Sequence, residues 1–177
     1  MRPDRKRNRL LGFDYRQDAF YFVTSCVKEM ACVFGDVVNG AMHLNGYGQI
    51  AERQWFWLLE QYPYLRSHAF VVMPNHIHAL VEISREDLES GAEAAMRERT
   101  GRDLSVPYGM QKIKSLSEIM GAYKTTTSKL IRLAGMPEFA WHRSFHDHII
   151  RDEKSFFNIK NYIEHNPAKW KDDTFRR

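Results

Sequence analysis

Cysteine is scarce in this chain of 177 residues, with only Cys26 and Cys32. Two thiols are too few for a disulfide scaffold and lack the paired spacing of a thiolate metal site, so both are expected as reduced thiols in the core. Long apolar runs are missing as well. A stretch such as Ala69–Met73 falls far short of the roughly 20 residues needed to cross a bilayer, and Asp14 and Asp18 follow the basic start too soon for a secretory signal. A soluble cytoplasmic protein without a membrane partner is expected. Internal repeats and low-complexity tracts are also lacking, which excludes solenoids and arrays. What is present is ordinary globular material, 44% hydrophobic and 27% charged, enough for one domain with a packed core.

The net charge is +4 and unevenly placed. Arg2, Arg5, Lys6, Arg7 and Arg9 crowd the first ten residues against Asp4 alone, and the stretch from Gln111 to Arg151, with Lys124, Arg143 and Arg151, is basic too. The acidic residues gather between Glu82 and Asp103. A basic arm over residues 1–12 plus a basic stretch suits a polyanion, because each phosphate contact releases condensed counterions. A solvated tail that aids solubility has the same charge pattern.

Residues 19–28 are aromatic and β-branched and read as a strand; residues 37–44 hold the hairpin dipeptide Asn39-Gly40. Helical periodicity runs from Tyr47 to Gln61 and stops before Pro63. Residues 67–73 and 76–83 are β-type runs joined by Pro74-Asn75, an antiparallel hairpin. Residues 84–114 carry many charges and no apolar period, which reads as an inserted loop. Ser115 to Glu118 forms a capping box before a helix that Gly135 and Pro137 end. Residues 145–150 could be an edge strand, and Asp152 can cap a last helix ending at Asn166-Pro167. This order implies an α+β fold, an antiparallel sheet covered by helices.

Chemistry is suggested first by His76-Ile77-His78. Strand periodicity puts the two imidazoles on one face about 7 Å apart along the chain, while Ile77, Ala79 and Val81 face the core. Two such rings can share one metal, although a histidine pair can also merely line a half-buried face. In the last helix Tyr162 and Asn166 are one turn apart and present a phenol and an amide oxygen on one face. A tyrosine attacking a phosphodiester needs a divalent cation beside its hydroxyl, and His76, His78 and Asn166 would leave positions open on a Mg²⁺- or Mn²⁺-type centre. Glu82 offers a competing carboxylate for an unrelated His-x-His metal hydrolase, and His142, His146 and His148 form a second histidine group.

Three blocks, Met73-Pro74-Asn75-His76-Ile77-His78, then Trp141 through Arg151 (WHRSFHDHIIR), then Asn161-Tyr162-Ile163-Glu164-His165-Asn166-Pro167, together resemble the ordered signature of the REP-associated tyrosine transposases, within the single-tyrosine HUH transposases. The resemblance spans residues from about Phe13 to Trp170. It implies a ferredoxin-like HUH domain over residues 13–170 with a short tail at 171–177, Tyr162 as nucleophile, and His76, His78 and Asn166 as ligands of a divalent cation. The implied activity is cleavage and transfer of single-stranded or hairpin DNA through a 5′-phosphotyrosine, by a monomer or homodimer. A non-catalytic DNA-binding protein of the same fold is the other outcome the resemblance allows.

Overall fold

The computed structural model describes residue 10, residues 12–86 and residues 113–176. Arg2, Arg5, Lys6, Arg7 and Arg9 lie outside the described residues, as does most of the 84–114 loop. Four strands form an antiparallel sheet: β1 (Ala19–Cys26), β4 (Leu65–Val72), β5 (His76–Ile83) and β6 (His146–Ile150), in the order β4-β5-β1-β6. Strands β2 (Gly35–Val38) and β3 (Ala41–Leu44) make a separate hairpin. Asn39 (φ 52°) and Gly40 (φ 77°) turn it, the left-handed pair that a two-residue turn needs to match strand twist.

Helix α1 (Gly46–Gln61) crosses from this hairpin to β4, and α2 (Leu116–Leu133) crosses from the loop to β6. The result is the strand order of a ferredoxin-like split βαβ unit, with α3 (Glu153–Glu164) added after the last strand. The capping box expected at Ser115 is formed: Ser115 N–H donates to Glu118 Oε2 at 2.7 Å, and Glu118 N–H points back to Ser115 Oγ. Asp152 caps α3 as expected. The cap of α1 is Asn45, whose Oδ1 accepts from Tyr47 and Gly48 N–H, each at 3.0 Å.

Period-two alternation divides the sheet into two faces. Tyr21, Val23, Ile77, Ala79, Val81 and Ile83 face α1 and α2 and join Trp55, Leu58, Ile119 and Tyr123 in the main core. Trp55 stacks on Phe70 with ring centroids 4.6 Å apart. On the other face Leu80 and Ile150 meet Ile163 of α3, flanked by Phe20, Phe22 and Phe156. Because helices cover both faces, β5 is buried along almost its whole length. One expectation is corrected. Cys26 is buried, but Cys32 is exposed, since it follows a 3-10 turn (Lys28–Met30) with positive φ at Glu29 and Met30 that ends the strand early.

Candidate active site

His76 and His78 project from β5 on the face that α3 covers, opposite Ile77 and Ala79. Both are fully buried, with Nε2 atoms 3.0 Å apart and ring centroids 4.4 Å apart, nearer than strand spacing alone gives because the rings lean together. Each Nδ1 is engaged. Asn75 spends its amide N–H groups on the carbonyls of Met30 (3.1 Å) and Phe175 (2.7 Å), so its Oδ1 can only accept, and His76 Nδ1–H donates to it at 2.7 Å. His76 Nε2 therefore carries a bare lone pair. His78 Nδ1 meets the Thr24 hydroxyl at 2.8 Å, a group that donates or accepts. With the His78 proton on Nδ1, two lone pairs converge, an arrangement relieved by a shared cation; oriented, hydrogen-bonded imidazoles are the usual second layer of a metal site.

Burial lowers the His76 pKa to about 4, an effect that the nearby Asp173 partly offsets. His78 is pushed well below the usual imidazole range, by burial first and by His76 second. Both rings are therefore neutral at pH 7, the form that ligates.

The last helix brings Tyr162 to the pair. Its hydroxyl lies 3.3 Å from His78 Nε2, and the side chain remains 37% exposed, within reach of a macromolecular substrate. Burial raises the phenol's pKa, Asp173 raises it further, and the Asn166 amide lowers it. Asn166 is buried, and its Oδ1 has no hydrogen-bond partner among the described residues, an orphan acceptor of the kind a cation satisfies. Asn166 also opens a 3-10 turn, Pro167–Asp172, that folds the chain back over the site. Phe175 lies 4.8 Å from the His76 ring and Trp170 lies 6.1 Å from it, so the centre is more enclosed than the open site the sequence suggests. Asp173, which sequence reasoning missed, joins His76 and His78 in a group whose ligand atoms lie within 4.8 Å of one another, compatible with a divalent metal. Thr24 was missed too; the only signal for it was its place in the strand that pairs with β5.

The other candidates sit elsewhere. Glu82 shares a face with the histidines but is engaged with His68 Nε2 at 2.8 Å, beyond Leu80, and is not part of the centre. Lys124 Nζ donates to the carbonyls of His142 (2.6 Å) and Arg143 (3.3 Å), fixing the segment that leads into β6. Arg143, His146, His148 and Arg151 are exposed along or beside the edge strand β6. Among the described residues, His142, His146 and His148 form no metal-holding group. No helix among the described residues is long and apolar enough to cross a membrane.

The chain is 31% identical over 173 residues to an uncharacterised protein of Haemophilus influenzae, covering 96% of this chain and 91% of that one. A second Haemophilus influenzae protein, described as a REP-associated tyrosine transposase, is 27% identical over 110 residues, 62% of this chain and 53% of the relative. The solved structure of a REP-associated tyrosine transposase bound to a REP hairpin matches the fold with a TM-score of 0.59 at 15% identity, covering 94% of this chain and 74% of that one. No protein-family model matches. An antiparallel four-stranded sheet with a His-x-His strand at its centre and helices on both faces is an α+β fold of ferredoxin-like strand order, shared with that hairpin-bound structure. The chain is thus similar in fold to a REP-associated tyrosine transposase and, over 62% of its length, in sequence to a second protein so described.

Proposed function

We propose that this protein cuts and rejoins single-stranded DNA at hairpins, with Tyr162 as the nucleophile beside a divalent cation held by His76, His78 and Asn166. The observation that carries this reading is the meeting of a reachable phenol with two neutral imidazoles, and beside that phenol an asparagine whose buried amide oxygen has no partner among the described residues. The hairpin-bound relative of the same fold supports a DNA hairpin as partner. When bound, a Mg²⁺- or Mn²⁺-type ion supplies Lewis acidity to the phosphoryl oxygens and offsets developing charge.

The chain's own residues do the rest. The Tyr162 oxygen, losing its proton, forms a bond to phosphorus as the bond to the 3′ oxygen breaks; the upstream strand leaves with a 3′-hydroxyl and the downstream strand stays on Tyr162 through its 5′-phosphate. The ester retains the bond energy, so a 3′-hydroxyl can reverse the step and join strands. Asn75 and Thr24 hold the imidazoles in register, and Asn166, four residues after Tyr162 in the turn that follows α3, keeps ligand and nucleophile close together. The basic arm and the exposed Arg143 and Arg151 are phosphate contacts in this reading.

Incubation with a cleavable single-stranded hairpin oligonucleotide should give a covalent adduct that mass spectrometry maps to a peptide containing Tyr162. Tyr162→Phe should abolish the adduct and keep DNA binding. Tyr123, the competing helical tyrosine, is excluded by position: it is fully buried and its hydroxyl donates to the Ala51 carbonyl at 3.0 Å. A cut that leaves no adduct would assign the chemistry to water, and binding without any cut would leave a hairpin-binding protein.

A further inference from the structure

We propose that Asp173 is an anionic ligand of the cation at His76 and His78, so that metal binding and the seating of the segment after the C-terminal 3-10 turn support each other. This rests on reading the histidine pair as a metal centre. Asp173 has a side chain only 2% exposed, and its two oxygens are treated unequally by the fold. Oδ1 accepts the Phe175 N–H at 2.7 Å. Oδ2 is buried with no hydrogen-bond partner among the described residues, 4.0 Å from His76 Nε2.

That distance is too long for a hydrogen bond, and His76 has no proton to offer there because its N–H is directed at Asn75. Oδ2 therefore faces a lone pair, acceptor against acceptor, at the point on which both imidazole Nε2 atoms converge. A buried carboxylate oxygen in this position needs a positive partner. One cation would satisfy both nitrogens and Oδ2 together, with the orphan Asn166 Oδ1 at the root of the same segment. Two imidazoles and oxygen donors suit a borderline divalent ion. The segment carrying Asp173 also supplies the rings of Trp170 and Phe175 that wall the histidines, and its Phe175 carbonyl accepts from Asn75. A ligand bond from Asp173 would thus hold the wall in place, and the wall would hold the ligand.

The test is titration of the metal-free full-length chain with Mn²⁺, followed by calorimetry and by hydrogen exchange of the amides around Phe175. Asp173→Asn retains an Oδ1 acceptor for Phe175 N–H and removes the anionic oxygen; its dissociation constant for Mn²⁺ should rise by roughly tenfold to a hundredfold. Asp172→Asn, the same charge change at the exposed neighbouring position, should leave the constant within about twofold. In the wild type Mn²⁺ should slow exchange at Phe175, a measurement that needs no variant to fold. Equal Mn²⁺ affinities for wild type and Asp173→Asn, or unchanged exchange at Phe175 on saturation, would overturn the assignment while leaving the histidine centre standing. A wild type that binds no Mn²⁺, or His76→Ala with undiminished affinity, would overturn the metal reading and this inference with it.

Discussion

At the residue scale the site is governed by what each polar atom lacks. Burial keeps His76 and His78 neutral, and Asn75 and Thr24 decide which nitrogen of each ring is free. Because the folded pKa of His76 lies below its unfolded value, the unfolded chain binds more protons between about pH 6.5 and about 4. The metal-free protein should therefore lose stability as pH falls through that window, with no contribution from this group above it. Urea midpoints at pH 7.5, 6 and 5 would show the decline; a flat profile would mean the rings are more hydrated than the fold implies. Thr24→Val should retain the fold, since valine is nearly isosteric, yet weaken Mn²⁺ binding by roughly tenfold to a hundredfold through the freed His78 ring. Calorimetry checks it.

Elements explain how these residues meet. Strand β5 has apolar residues toward α1 and α2 and the histidines toward α3, and α3 crosses it so that Tyr162 reaches His78. Local signals account for the pieces: the Asn39-Gly40 turn, the capping box at Ser115, the Asp152 cap and the alternation around His76 were all legible in the sequence. Two tests compare local with tertiary terms. Ser115→Ala removes one cap interaction and should cost about 1 kcal/mol. Gly48→Ala should cost more than an ordinary helical substitution, about 1–3 kcal/mol, because a Cβ there would stand 2.2 Å from the Phe34 carbonyl oxygen and force α1 off the β2–β3 hairpin. Chemical denaturation of both variants would rank them; a stabilised Gly48→Ala would show that the hairpin yields.

Across the whole molecule, charge and burial divide the labour. The centre is buried, whereas Arg143 and Arg151 are exposed beside the edge strand and the basic arm adds five cationic side chains. If the arm grips phosphates, deleting residues 1–9 should flatten the salt dependence of hairpin binding, each lost contact removing a slope of roughly 0.7 on single strands. An unchanged slope, measured by anisotropy across a salt series, would make the arm a solubility tail. The sequence by itself determined the face on which His76 and His78 lie, and the turn that separates Tyr162 from Asn166, because strand and helix periods are local properties of consecutive residues. Which atoms complete the centre was decided by the tertiary structure. Thr24 lies 54 residues from His78 and Tyr162 lies 84 from it, and Asp173 arrives only because the 3-10 turn after Asn166 folds back over the sheet. Such meetings depend on strand order and on where a helix crosses, and no local period encodes either.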